Sequence, residues 1–400
     1  MSPNENNLVT VIIGAQWGDE GKRKLVDLFA STSDVICRGQ GGNNANHTII
    51  ANNRRYRFHL LPTGITNSKC LSVIGNGMVV HIPSFLEELE ANEENNCFKG
   101  RLFISDKAHI VFDFHQQVDG FEELDNSCRL KTIGTTKKGI GPAYSSKVTR
   151  NGIRIGDLMG EFSNFSEKFR MLVNTHQRMF PKLAVDVEAE LERYQKFSEI
   201  LRPYVIETVY FINKCIKENK KIIVEGANAA LLDIDFGTYP YVTSSNCSVG
   251  GVSTGLGISP GKIDKIIGVI KAYTTRVSDG PFPTELKDDV FKYSNMVNGY
   301  HSLALSKLDI LDDLAEIKVG VRYTLRDKKL DHFPSNASEL AAVEVEYIVM
   351  PGWKTNTKNI RNYKDLPINA KLYVGKIQEF LEVPIEWIGV GPSKDTLISL

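Results

Sequence analysis

Gly14-Ala15-Gln16-Trp17-Gly18-Asp19-Glu20-Gly21-Lys22-Arg23-Lys24 follows a short apolar run and opens a segment of helical spacing. Glycines at the end of a strand let backbone N–H groups close around a phosphate, and the positive end of a following helix adds attraction. Lys22 and Lys24 would supply point charges for phosphate oxygens. The loop is not a Walker A sequence, because six residues separate Gly14 from Gly21-Lys22 and no Ser or Thr follows the lysine. Asp19 and Glu20 are odd company for a simple anion. They make sense where a magnesium ion is held, a proton is moved, or both. On spacing alone, a tight charged surface turn would explain the same residues.

Four further clusters carry groups of the right chemistry. Gln40-Gly41-Gly42-Asn43-Asn44-Ala45-Asn46-His47-Thr48 gathers side-chain amides and one imidazole in a glycine-rich loop. His47, with an unperturbed pKa of about 6.5, suits a general acid at neutral pH, although a lone loop histidine is more often merely solvated. Ile133-Gly134-Thr135-Thr136-Lys137-Lys138-Gly139-Ile140-Gly141-Pro142, with Arg150 beyond, suits a second anion site. Glu225-Gly226-Ala227-Asn228 and the run Tyr239 to Asn246, which contains Thr243, are rich in residues that turns favour for their own reasons. In Lys307-Leu308-Asp309 the carboxylate could accept from the N1–H and N2–H donors of guanine, a pair that adenine lacks. That triplet alone is weak. His109 and His115, near Asp106 and Asp113, match no metal-ligand spacing.

The elements that must position these loops alternate between strand and helix. Leu8–Ile13 reads as a buried strand, Lys22–Ala30 as a short helix and Asp34–Arg38 as a second strand, which is the start of an α/β layer. Ligands are then expected beyond the carboxyl ends of the strands. Further strands are expected at 56–61, 71–80, 101–105, 221–225, 266–274, 316–323, 343–349 and 384–390. Residues 162–219 differ in texture: Val187, Leu191, Tyr194, Leu201, Tyr204 and Val205 recur at helical spacing, and Pro181 and Pro203 should start, kink or break helices. The expectation is one domain over 1–400 with a helical insertion at 160–219, since no linker or repeat divides the chain.

The whole chain has 400 residues, is 42% hydrophobic and 24% charged, and balances 48 basic against 48 acidic residues. This composition excludes a disordered or collagen-like protein. Zero net charge argues against broad capture of nucleic acid or of an anionic membrane. No apolar run reaches the ~18 residues of a bilayer span, and the polar start lacks a secretory core. Six scattered cysteines without a CxxC pair fit a reducing cytoplasm better than a disulfide scaffold.

Taken together, the Gly14–Lys24, Gln40–Thr48, Ile133–Pro142, Glu225–Asn246 and Lys307–Asp309 segments resemble adenylosuccinate synthetases in order and spacing over nearly the whole chain. Trp17-Gly18-Asp19-Glu20-Gly21-Lys22 and Asp233-Ile234-Asp235-Phe236-Gly237-Thr238-Tyr239-Pro240 are the most specific parts of the resemblance. It implies an α/β fold with a large, mostly parallel central sheet of the P-loop-like synthetase type, carrying helical and loop insertions. It also implies ligation of IMP to L-aspartate, driven by GTP with magnesium, giving adenylosuccinate, GDP and phosphate on the route to AMP.

Residue roles carry over with it. Asp19 resembles the base that removes the IMP N1 proton and also a magnesium ligand, and His47 resembles the acid that assists on the O6 and γ-phosphate side. The GTP contacts fall on Gly18, Asp19, Glu20, Gly21, Lys22, Arg23, Lys24, Asn46, His47 and Thr48. Lys307, Leu308 and Asp309, closed over by Gly389, Val390 and Gly391, complete them at the base. The IMP contacts fall on Asp19, Glu20, Gly21, Lys22, Asn44, Ala45, Asn46, His47, Thr136, Arg150, Asn228 and Thr243. Asn46 joins Asp19 at the metal, and Arg150 resembles an arginine given to the partner of a homodimer.

The sequence departs from the family's pattern in three places. Arg23 and Asn46 stand where the family has glycine; an arginine is uncomfortable if that backbone needs φ > 0, and could otherwise turn outward and add charge. The third departure is a shortened segment between Glu285 and Met296, where the family has a longer, arginine-rich loop that holds aspartate and the IMP ribose. The alternative to an active ligase is therefore an impaired GTP- and IMP-binding paralogue or dimer partner. A P-loop signalling GTPase is disfavoured by the failed Walker A spacing.

Overall fold

The computed structural model describes residues 8–43, 47–51, 54–92, 98–129, 134–276, 279–282 and 288–400, with the backbone path alone for 47–51, 54–57, 126–129 and 288–292. Val9, Val11, Ile12 and Ile13 are completely buried. Their strand, β1 (Val9–Gly14), lies inside a ten-stranded sheet, where both faces of a strand must be apolar. The other strands are β2 (Val35–Arg38), β3 (Leu71–Ile74), β4 (Leu102–Ser105), β5 (Val205–Ile206), β6 (Ile222–Ala229), β7 (Lys265–Lys271), β8 (Ser302–Ser306), β9 (Ile385–Gly389) and β10 (Leu397–Ser399). The order across the sheet is β10-β9-β8-β7-β1-β6-β2-β3-β4-β5. Neighbours run parallel except β9 and β10, which pair antiparallel.

From β1 the chain winds outward through β2, β3, β4 and β5, returns to place β6 beside β1, then builds the other half. Such a reversal gathers the loops after β1, β2, β6, β7, β8 and β9 at one edge, where a crevice forms. The helix Lys22–Ala30 follows the first of these loops with the expected bounds.

Two expected strands are cut short, each for a visible reason. The 56–61 run forms a strand only at Arg54–Phe58, because the N–H groups of His59, Leu60 and Leu61 all donate to the buried Glu88 carboxylate instead of a neighbouring strand. The 71–80 run divides into β3 and a separate strand, Val79–His81, that pairs with His109–Val111. Between them the backbone passes so close to other chain segments that a Cβ on Gly77 would lie 2.1 Å from the Gly39 carbonyl oxygen. The 316–323 and 343–349 runs leave the central sheet and pair antiparallel with each other, over Glu316–Leu325 and Glu344–Pro351.

The 160–219 region carries the helices Phe162–Met179, Val187–Leu201 and Thr208–Lys217. Phe165, Phe169 and Tyr194 are completely buried, with the rings of Phe169 and Tyr194 each 5.0 Å from that of Phe112. Pro203 lies just past the end of the second helix, in a short turn, and β5 then joins the sheet edge. Among the described residues no helix is long and apolar enough to cross a membrane.

Candidate active site

The loop after β1 owes its shape to a buried acid. Glu20 is completely buried beneath it. Its Oε1 accepts from the N–H groups of Gly18 (2.8 Å) and Gln16 (3.3 Å), and its Oε2 takes the Lys22 ammonium at 2.9 Å. Closing the loop on that carboxylate puts Gly18, Asp19 and Gly21 at φ of 104°, 55° and 77°. The Asp19 side chain is thereby thrown outward, 64% exposed. Glu20 thus shapes the loop, and Asp19 faces the crevice.

Gly14 makes room for this arrangement. A Cβ there would lie 2.3 Å from Glu20 Oε2 and 2.8 Å from Lys22 Nζ. Gly14→Ala is therefore expected to evict the carboxylate, leaving two loop N–H groups unpaired at about 1–3 kcal/mol. A lowered Tm together with weakened GTP binding in calorimetry is the expected result. An alanine variant with the parent's Tm and affinity would show that Glu20 does not set the loop.

Asp19 meets cations from two other strands. Its Oδ2 accepts from Lys307 Nζ at 2.9 Å and lies 3.7 Å from Lys271 Nζ. Burial raises its pKa, but the Lys307 hydrogen bond and the charges of Lys307, Lys271 and Lys22 together outweigh burial and leave it below 3.8. It is ionised at neutral pH. Lys307 follows β8 with φ of 59°, and Ser306 Oγ donates to the Glu20 carbonyl at 2.6 Å, stitching β8 to the phosphate loop.

The two segments expected to contact the base lie on the same edge. Pairing of β8 with β9 (Leu305 with Ile388) sets Lys307-Leu308-Asp309 beside Gly389-Val390-Gly391. Lys24 Nζ donates to the Gly391 carbonyl at 2.6 Å. Burial lowers the Lys24 pKa to about 8 against the opposing charges of Asp309 and Asp395. A Cβ on Gly389 would lie 3.0 Å from Lys24 Nζ. Leu308 and Val390 are completely buried, while Asp309 is half-buried.

A second group of polar side chains lies on the β2 and β6 side. Asn228 closes β6, and the Gln40 loop follows the adjacent β2. Tyr144 Oη accepts from the Gly41 N–H at 3.0 Å, and a Cβ on Gly141 would sit 3.2 Å from Ser244 Oγ. The Gln40 loop, the helix Ile140–Val148 and the Tyr239–Asn246 run therefore converge. Both amide atoms of Gln40, the Oδ1 atoms of Asn43 and Asn228, and Thr135 Oγ1 are buried without a partner among the described residues. Buried polar atoms are rarely left so. These atoms are the candidates here for holding a polar ligand.

Thr243 is half-buried, with its N–H donated to the Leu232 carbonyl at 2.8 Å, whereas Thr136 is exposed. Arg150 is not brought into the group. It lies past the far end of the helix Ile140–Val148, exposed, at φ of 64°. Asn44, Ala45 and Asn46 lie outside the described residues. His47 and Thr48 start the strand His47–Ala51, opposite Phe58 and Arg57, and their side chains lie outside the description.

Arg23 corrects the expectation attached to it. It sits in the first turn of a regular helix without a positive φ, and it is half-buried rather than turned outward. Burial lowers its pKa to about 10, with Glu225 opposing and Arg38 reinforcing.

Four residues that build the site receive no role from the sequence, although Gln16 and Asp233 lie within its motifs. Gln16 accepts from the Lys271 N–H at 2.9 Å and donates to Thr274 Oγ1 at 3.3 Å. Lys271 ends β7 with its side chain completely buried; burial lowers its pKa, and Asp19 opposes. The completely buried Asp233 accepts from Asp235, Phe236, Cys247 and Ser248 N–H groups, tying together both ends of its loop. Arg276 donates to Thr238 Oγ1 and to the carbonyls of Tyr241, Asp279 and Pro281. For Lys271 the available signal is a lysine closing an apolar run.

Comparison with known proteins matches this geometry. The adenylosuccinate synthetase family model matches residues 11–292 and 289–398. Adenylosuccinate synthetases of Drosophila mojavensis and Drosophila melanogaster are each 54% identical over 423 aligned positions, covering 98% of this chain and 94% of theirs. The fully ligated adenylosuccinate synthetase of Plasmodium falciparum superposes with a TM-score of 0.94 at 39% identity, over 98% of this chain and 100% of that one. Succinoaminodeoxyadenylate synthetase of cyanophage S-2L, at 14% identity and a TM-score of 0.59, shares the fold. The 423 aligned positions exceed this chain's 400 residues. The two parts of the family match meet at 289–292, inside the shortened segment.

Proposed function

The chain belongs to the adenylosuccinate synthetase family and ligates IMP to L-aspartate at the expense of GTP; we propose that Asp19 is the group on which this reaction turns. As an ionised carboxylate on the exposed side of a phosphate loop, it takes the N1 proton of IMP. The electron pair passes to O6, which attacks the γ-phosphate of GTP and releases GDP. His47 acts as the acid on the O6 and γ-phosphate side, and the amine of aspartate then displaces the 6-phosphoryl group as phosphate. The observation that carries this reading is Asp19 itself, ionised and outward-facing between the guanine-reading loops and the unpartnered amides. Coupled turnover of GTP, IMP and aspartate by the purified chain tests it. The 54% identity to adenylosuccinate synthetases over 98% of the chain supports a ligase over the impaired-partner alternative.

Magnesium fits this donor set through Asp19, a hard anionic oxygen with open access, with Asn46 as a second candidate. When bound, the ion would neutralise charge on the γ-phosphate. Gly18, Glu20, Gly21, Lys22, Arg23 and Lys24 form or support the GTP phosphate loop. Asn228 and Thr243, with Thr136, serve IMP, and the Gln40 and Asn43 amides support the same site. Arg150 is exposed, and its guanidinium has no ion pair among the described residues, which supports donation to the second copy of a homodimer. Buried, unpaired Cys37, Cys70, Cys215 and Cys247 suit a cytoplasmic location.

Asp309 gives a direct test of nucleotide choice. A carboxylate left without its two donors is penalised, so GTP should bind at least about 10²-fold better than ATP. Asp309→Asn should weaken GTP selectively and leave IMP affinity unchanged in calorimetry. Equal GTP and ATP affinities in the parent would remove the guanine assignment.

A further inference from the structure

Lys271 closes β7, whose residues between Lys265 and Lys271 are all apolar or glycine, and its side chain is completely buried. Burying an ammonium without a full set of partners is unfavourable. Among the described residues, the partners of Nζ are Thr275 Oγ1, Asp19 Oδ2 at 3.7 Å and the face of the Tyr273 ring at 5.6 Å. The carboxylate oxygen it approaches is already taken at 2.9 Å by Lys307, a second cation that repels it. Asp19 is 64% exposed, so water would solvate it if Lys271 were removed. Folding therefore gains little from this charge.

The backbone around Lys271 is nevertheless fixed to the phosphate loop at two points. Gln16 accepts the Lys271 N–H and donates to Thr274. Lys307, by contrast, is 31% exposed and belongs to the guanine-reading triplet. With Lys307 engaged by the nucleotide, Lys271 and Lys22 would be the cations left near Asp19, and Lys22 is already held by Glu20. We infer that Lys271 is a positioning residue for the reaction, anchoring the Asp19 carboxylate in its outward orientation at the expense of fold stability. This inference rests on the role proposed above for Asp19.

Lys271→Met keeps the length of the side chain and removes the charge, and the full-length chain can be assayed directly. The expected result is a kcat lowered about 10–10²-fold with KM for GTP and for IMP within about threefold of the parent. Its Tm should lie within about 2 °C of the parent's or above it, since a buried charge has been removed without stranding another. A residue needed only for structure would lower Tm and activity together. A Tm lowered by more than about 3 °C, or failure to fold, overturns the inference, as does an unchanged kcat. A parent without turnover counts instead against the role assigned to Asp19, and the Tm comparison then decides whether Lys271 serves the fold.

Discussion

Asp19→Asn should lower phosphoryl transfer from GTP to IMP by at least about 10³-fold while the chain stays folded, within the range expected for loss of a proton-transfer group. Asparagine is the sharper choice than alanine, because Asp19 adopts a φ of 55° and a short polar side chain tolerates that conformation. It preserves the size of the side chain and removes the charge that Lys307 and Lys271 converge on. The loop itself should hold, since Glu20, not Asp19, fixes it, while leaving the buried Lys271 ammonium without its carboxylate should lower Tm. The measurement is GDP formation in a single turnover with IMP present. His47→Ala should cost about 10²–10⁴-fold in the same assay if it serves as the acid. A fast Asp19→Asn variant would mean that the carboxylate neither moves the proton nor organises the phosphates.

The part of this site that could be read from sequence is the part built from consecutive residues. The loop after β1 announces itself because glycines, a lysine pair and two acids fall between a buried strand and a helix. The division of labour between those acids follows from the resemblance but not from their residue types or spacing: the fold buries Glu20 and exposes Asp19. β8 escaped notice because Ser302-Leu303-Ala304-Leu305-Ser306 is short and rich in small residues, and it becomes a strand through its neighbours on both sides. Lys271 reaches Gln16 across 255 positions, Arg276 reaches Tyr241 across 35 and Asp233 reaches Ser248 across 15, which no local pattern reports. The early ends of the 56–61 and 71–80 runs have the same origin. Glu88 takes the N–H groups in one case, and close backbone packing breaks the other.

The second large effect concerns aspartate. A dicarboxylate entering a phosphate-rich site needs charge-assisted, preferably bidentate partners, and arginine is the usual one. Residues 277–300 contain no arginine, and Lys287 and Lys292 are accompanied there by Asp288 and Asp289. This stretch leads into the helix Asp288–Asn298. That helix is anchored by Tyr293 stacked on Phe333 at 5.4 Å, Ser294 Oγ on Tyr300 Oη at 2.9 Å, and Asn298 Oδ1 on the Val249 N–H. Arg276 just before the stretch is committed to four oxygens, and Arg322 pairs with Glu346. At about 1.5–3 kcal/mol for each charged hydrogen bond, losing two of them weakens aspartate binding by about 10²-fold or more. With GTP and IMP saturating, the apparent KM for aspartate should therefore exceed by that factor the value for the Plasmodium falciparum relative assayed alongside. GTP affinity should remain comparable, because its contacts lie outside the shortened segment, and IMP should lose less affinity than aspartate, because only its ribose contacts fall there. At low aspartate the 6-phosphoryl intermediate should accumulate ahead of adenylosuccinate, since the second step lacks its substrate while the first does not. An aspartate KM equal to the relative's would require a cation from elsewhere, and an arginine contributed by a second copy of the chain would then be the residue to mutate.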